Sequence, residues 1–161
     1  MSKIPKIKLL IMDCDGVLTD GRLYFTESGE AMKAFDVRDG QGIALWHAAG
    51  FLSSIISGRD SRGIVAARAN ELGIKYVREG SRDKVADFRE IIAEAGVSAE
   101  ETAFIGDDIG DIELMKVVGF PVAVADAADS VKQVAKYITR SNGGRGAVRE
   151  LIEFLLAAND R

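Results

Sequence analysis

An α/β fold, with a mainly parallel sheet and helices on both faces, is predicted for these 161 residues by three observations. Apolar runs of strand length alternate along the chain with segments of helical periodicity, which is the rhythm of βαβ units. One run, Leu9-Leu10-Ile11-Met12, is apolar without interruption and therefore fits a strand buried on both faces. It stops abruptly at Asp13-Cys14-Asp15-Gly16, and two later runs stop at equally polar turns, Ser57-Gly58-Arg59 and Gly106-Asp107-Asp108. In a parallel sheet such ends converge on one edge, where ligands collect.

The elements follow in order. After the first strand, Leu23-Tyr24-Phe25 and Met32-Lys33-Ala34-Phe35 flank Thr26-Glu27-Ser28-Gly29-Glu30, the pattern of a β-hairpin with a glycine-containing turn. This hairpin, over about residues 21–36, is expected to be a flap at the catalytic end. Gly40 to Ala49 reads as a helix, Leu52 to Ile56 as a strand, and Ser61 to Leu72 as a helix closed by Gly73. Tyr76-Val77-Arg78 forms a short strand. Val85, Phe88, Ile91 and Ile92 then recur at helical spacing before Gly96, with Lys84 in the first turn of that helix. Ser98 to Glu101 is either a helix start or a tight turn, and Thr102 to Ile105 is a fourth strand of the sheet. Pro121 to Val124 makes a fifth, Asp129 to Ala135 a helix, Tyr137-Ile138 a sixth strand, and Ala147 to Ala158 an amphipathic final helix behind the loop Asn142-Gly143-Gly144-Arg145-Gly146.

Composition narrows the function. With 47% apolar and 29% charged residues, the chain reads as one domain, residues 1–161, large enough for an ordinary core. A net charge of −4, with cations scattered among acids, provides no footprint for nucleic acid. No apolar run approaches the ~20 residues that cross a bilayer. A single cysteine, Cys14, excludes an internal disulfide, and no signal-type segment opens the chain, so a cytoplasmic protein is expected.

The residues at the strand ends define a chemistry. Asp13, Asp15, Ser57, Asp107 and Asp108 converge on the sheet edge, and Lys84 enters from a helix start. A lysine there opposes the positive end of the helix dipole, which an anion nearby would explain. Two carboxylates flanking one residue repel each other unless a cation or a proton separates them. Carboxylates without a His or Cys cluster favour a hard, oxygen-liganded ion, hence Mg²⁺ rather than Zn²⁺. A divalent cation, a lysine, a hydroxyl and turn N–H groups together complement a phosphate, and a carboxylate beside it can attack phosphorus. Cys14, His47, Trp46 and the four Met residues read instead as packing residues.

In this order the motifs Asp13-Cys14-Asp15-Gly16-Val17-Leu18-Thr19, Ser57-Gly58-Arg59, Lys84 and Gly106-Asp107-Asp108 through Asp111 resemble the haloacid dehalogenase superfamily. Phe35 to Ile43, Val122 to Ala127 and Gly143 to Glu150 extend the resemblance to its 3-deoxy-D-manno-octulosonate 8-phosphate phosphatases. The resemblance implies a Rossmann-like fold without a cap domain and a typically tetrameric assembly. It implies Asp13 as nucleophile, Asp15 as acid and then base, and Ser57 and Lys84 as holders of the phosphoryl oxygens. Mg²⁺ would be bound by Asp13, the carbonyl of Asp15 and Asp107, with Asp108 acting through water and Asp111 bracing the loop. Asp36, Val37, Arg38, Asp39, Gly40, Arg59 and Arg68 match positions that contact the sugar acid or its phosphate, and Arg145 matches the tail segment that approaches the site. Ala44 departs from members that carry arginine there.

The expected function is therefore Mg²⁺-dependent hydrolysis of that eight-carbon sugar-acid phosphate, a precursor step of lipopolysaccharide synthesis. Phosphatases of nine-carbon sugar acids are the nearest alternative, and Arg59 favours the eight-carbon substrate. A receiver-like phosphoacceptor shares an Asp, Mg²⁺, a hydroxyl and a Lys, but has no need of Asp15. Exposed Leu23, Phe25 and Phe35 on the flap would be an apolar liability on a monomer, so a homotetramer is expected in which hairpins pack between subunits and roof a neighbour's site.

Overall fold

In the computed structural model, which describes residues 4–160, β1 (Leu9–Met12) is buried along its whole length, as an uninterrupted apolar run requires. A tight turn over residues 14–18 follows, closed by the Thr19 N–H donating to the Cys14 carbonyl. Next come β2 (Tyr24–Thr26), β3 (Gly29–Met32), α1 (Val37–Ala48), β4 (Leu52–Ile56), α2 (Ile64–Leu72), β5 (Tyr76–Arg78), α3 (Lys84–Ala95) and β6 (Thr102–Gly106). The chain closes with α4 (Ile112–Met115), β7 (Phe120–Ala123), α5 (Asp129–Val134), β8 (Tyr137–Ile138) and α6 (Ala147–Asn159).

Six strands form one parallel sheet in the order β5-β4-β1-β6-β7-β8, and β2 and β3 pair separately as an antiparallel hairpin. Counting only the strands of the large sheet, the order is that of a Rossmann-like doubly wound fold, whose direction reverses between β1 and β6. Leu9 lies opposite both Leu52 and Thr102, and Met12 opposite Ile55 and Ile105, so the three central strands end level. Helices α1, α2 and α6 pack together, as do α3, α4 and α5, in keeping with right-handed crossovers that cover both faces. Beyond the hairpin, among the described residues, no cap intervenes between the strand ends and the surface.

Several boundaries differ from the sequence reading for local reasons. Helix α1 begins at Val37 rather than Gly40, because the Asp36 carboxylate accepts the Arg38 N–H at 2.7 Å as an N-cap. Helix α2 begins at Ile64 rather than Ser61, because Arg62 (φ 57°) and Gly63 (φ 99°) are left-handed. Residues 98–101 are a turn, with Ser98 and Glu101 exchanging side-chain to backbone hydrogen bonds. The hairpin strands sit closer to the turn than expected, since a bulge at Tyr24/Phe25 shifts their register. Helix α4 has four residues, too few to show a period.

Helix α6 starts at Gly146, which has no side chain to cap it. Asp39, in the first turn of α1, supplies the cap from 110 residues away: its carboxylate accepts the Arg149 N–H at 3.0 Å. Asp39 is 2% exposed, and its second oxygen has no hydrogen-bond partner. Burial, reinforced by the Asp36 charge, pushes its pKa up to about 6 against the pull of the Arg149 and Gly146 N–H groups. A folded pKa above the unfolded value means that Asp39 contributes stability fully below about pH 4 and loses that contribution as pH rises through about 6. Asp39→Asn keeps an acceptor for Arg149 without the buried charge. Relative to the parent, urea denaturation should therefore show this variant gaining on the order of 2–3 kcal/mol between about pH 4 and pH 7. A stability difference that is flat across that range contradicts the assignment.

Candidate active site

The ends of β1, β4 and β6 open onto a cavity of about 310 Å³ lined by Asp13, Asp15, Ser57, Arg59, Lys84, Asp107, Asp108 and Asp111, with glycines between them. Asp13 follows β1 directly; its N–H donates to the Ile105 carbonyl at 3.1 Å, so it leaves the sheet beside β6. Its Oδ1 accepts the Cys14 N–H at 2.7 Å. Gly16 turns the chain at φ 87°, and a Cβ there would fall 1.9 Å from Asp107 Oδ2, so the turn admits only glycine. Behind it the Gly143-Gly144 loop presses against residues 16–20; a Cβ on Gly143 would meet the Gly16 carbonyl oxygen at 1.7 Å. The close backbone approach explains the paired glycines. Ser57 is buried at the tip of β4, its N–H donating to the Arg78 carbonyl and its own carbonyl accepting the Ser81 N–H.

Lys84, the first residue of α3, lies 3.1 Å from Asp13 Oδ1 and 2.7 Å from Asp111 Oδ1. The anions that justify a cation at a helix start are thus present. Burial alone would lower the Lys84 pKa, but Asp13 and Asp111 outweigh it and keep the ammonium charged. Asp111 Oδ2 accepts the N–H groups of Asp107 (2.9 Å) and Asp108 (3.3 Å), so both of its oxygens are engaged, as a brace requires. Asp108 is exposed at the cavity rim and caps Ile109.

Carboxylate oxygens of Asp13, Asp107 and Asp111 all lie within 4.8 Å of one another. With Asp111 consumed by its donors, Asp13 and Asp107 remain, and Asp107 Oδ1 is buried without a partner. Burial first, then the Asp111 charge, raises the Asp13 pKa; burial first, then the charges of Asp13 and Asp111, raises that of Asp107. Crowded, desolvated carboxylates with an unused oxygen fit a hard divalent cation.

Asp15 faces the other wall. Its Oδ1 lies 2.5 Å from Lys33 Nζ and its Oδ2 3.5 Å from Arg59 Nε. Lys33 also lies 2.7 Å from Glu30 Oε1, and Arg59 reaches Glu30 Oε2 at 3.5 Å. In the sequence, residues 30 and 33 stand out only as part of a flap. The available signal was an opposite-charge pair bracketing two apolar residues in a strand that otherwise invites burial.

The remaining candidates do not line this cavity. Asp36 and Asp39 are the caps described above, and their oxygens serve helix starts. Val37 and Arg38 are exposed, Arg38 pairing with Asp36. Gly40 is buried against Arg68, which packs over the Phe35 ring and pairs with Glu71. Arg145 lines a separate cavity with Asp20, Arg22 and Asp126. Trp46 donates to the Leu52 carbonyl at 2.7 Å, and His47 lies 2.6 Å from the Ser53 hydroxyl. Burial, with Asp15 nearby, pushes the Cys14 thiol far up, so it is no nucleophile.

Residues 73–152 match the haloacid dehalogenase-like hydrolase family. The whole chain is 42% identical to the 3-deoxy-D-manno-octulosonate 8-phosphate phosphatase of Yersinia pestis, covering 86% of that protein. The cobalt-bound phosphatase of the same name from Haemophilus influenzae superimposes with a TM-score of 0.95 at 42% identity, over 99% of this chain and 92% of that one. The Moraxella catarrhalis phosphatase, solved with magnesium, phosphate and KDO, has a TM-score of 0.93 at 37% identity, covering 98% and 90% of the two chains.

The crowded pair is testable without substrate. Millimolar Mg²⁺ should raise the thermal midpoint of the parent protein. Asp107→Asn should raise the metal-free midpoint by removing the cost, on the order of 1 kcal/mol or more, of burying this carboxyl group beside Asp13, and should abolish the Mg²⁺ response. An unchanged response in the variant would place the cation elsewhere.

Proposed function

This chain belongs to the haloacid dehalogenase-like hydrolases, within them to the 3-deoxy-D-manno-octulosonate 8-phosphate phosphatases, and from that premise we propose how it releases phosphate from that sugar acid. The observation that carries the reading is the meeting of Asp13 and Asp107, crowded and only partly satisfied, beside the charged Lys84. Asp13 attacks phosphorus; the ester P–O bond breaks, and Asp15 gives its proton to the leaving sugar oxygen. Asp15 then takes a proton from water, whose oxygen attacks the phosphoryl-aspartate and frees phosphate and Asp13. Lys84 and Ser57 hold the phosphoryl oxygens. Asp13, the carbonyl of Asp15 and Asp107 would hold Mg²⁺, which supplies positive charge to offset that of the transferred group, with Asp108 acting through water.

Magnitudes require this many groups. Acceleration of phosphate-monoester hydrolysis reaches ~10²¹, about 28 kcal/mol of barrier. A general acid supplies roughly 10² to 10⁴ of that, so alignment and charge stabilisation must supply most of the rest.

The whole chain acts as one domain, in the cytoplasm, and assembles as a homotetramer. Support for assembly comes from the flap, where Leu23, Phe25, Met32 and the nearby Val37 are all exposed, Phe25 to 62% and Val37 to 83%. The cavity is at the small end for a ligand of this size, and Arg38 and Arg145, outside it, have side chains more than half exposed and open to a neighbouring copy. Among the described residues no helix is long and apolar enough to cross a membrane.

Phosphate release should be far higher from the octulosonate 8-phosphate than from hexose phosphates or nine-carbon sugar-acid phosphates, and undetectable in Asp13→Asn. Equal turnover of every monoester would remove the substrate assignment and leave the reaction. Light scattering should give four times the chain mass; a monomer with full activity at all concentrations would refute the assembly.

A further inference from the structure

Asp15 sits in a closed ring of alternating charges. Lys33 bridges Asp15 and Glu30 at 2.5 and 2.7 Å, and Arg59 spans the same two carboxylates from the opposite side at 3.5 Å each. The Lys33 side chain is 1% exposed, whereas the surface pair Lys116 and Glu113 is more than half exposed. A surface pair of that kind contributes little. Burying an ammonium costs desolvation energy that a well-packed apolar residue avoids, so stability alone does not account for Lys33.

The ring joins three segments. Asp15 comes from the turn after β1, Arg59 from the turn after β4, and Glu30 and Lys33 from the hairpin, against whose Phe25 ring the Arg59 guanidinium also lies, 6.0 Å from the centroid. A carboxyl group gripped at Oδ1 by Lys33 has its plane fixed and leaves Oδ2, with Arg59 only at 3.5 Å, to carry the proton, while a free aspartate explores several rotamers. We infer that Lys33 and Glu30 are positioning residues, which hold the Asp15 carboxyl group in line with the leaving oxygen and so make its aim depend on the seating of the hairpin. Glu30 balances the Lys33 charge and keeps the ammonium from drifting along the carboxylate edge. The inference rests on the acid role proposed for Asp15.

Leaving-group dependence tests it. Benzyl phosphate and 4-nitrophenyl phosphate are similar in size, but the alkoxide needs a proton to depart and the nitrophenolate does not. Lys33→Met should lose roughly tenfold or more kcat/KM on benzyl phosphate than it loses on 4-nitrophenyl phosphate. Glu30→Gln should shift the same ratio in the same direction by less, and Lys33→Arg should restore part of it. Glu30→Gln carries the test if Lys33→Met does not fold. Equal losses on both substrates, or none, overturn the inference by reducing the pair to hairpin packing. Asp15→Asn run alongside separates the two failures: if it too leaves the ratio unchanged, the acid role falls and the inference with it; if it alone shifts the ratio, only the positioning role falls.

Discussion

Asp13 and Asp107 leave the sheet from adjacent parallel strands that end level, so their carboxyl groups are forced together in a place that water reaches poorly. The charge they would carry together has to be answered by a shared proton or by positive charge. Lys84 answers part of it from the start of α3, and the unpartnered oxygen of Asp107 leaves room for a cation to answer the rest. The neighbouring structure follows from this crowding. Asp111 gives up both of its oxygens to orient Lys84 and the Asp107 loop, and Gly16 is fixed because any side chain there would strike Asp107.

The second organising feature is the hairpin. Leu23, Tyr24, Phe25 and Met32 are exposed on it, while Phe35 packs against the core. What holds it across the strand ends is charge: the Lys33 and Glu30 pair on Asp15, with Arg59 closing the circuit and Arg62 reaching the Ser28 carbonyl. A flap tied down at a reacting group, with an apolar outer face, is suited to assemble against another copy and to sense whether the site beneath it is in order.

A third connection runs behind the site. Asp36 caps α1, Asp39 caps α6, and the glycine loop ahead of α6 leans on the turn that carries Asp13 and Asp15. Residues 36–39 thus serve the site from behind through two helix starts. The same acidic residues would otherwise read as ligands for a sugar, since a cap and a ligand draw on one side-chain chemistry.

Periodicity and strand-end chemistry made most of the fold and the floor of the site legible in the amino-acid order. A four-residue apolar run buried on both faces, helical stripes of adequate length and Asp, Ser or Gly at each strand end are local properties, and convergence at one edge follows from parallel topology. Lys84 could be singled out because a cation at a helix start is locally wrong. What only the tertiary structure decided is which charges pair: that Lys33 and Glu30 close on Asp15, that Asp111 is spent on Lys84, and that Asp39 caps a helix 110 residues further on. Such pairings depend on distances between segments remote in the chain. Burial strengthens an electrostatic contact only after the fold has brought its partners together, and no pattern of neighbours along the chain carries that distance.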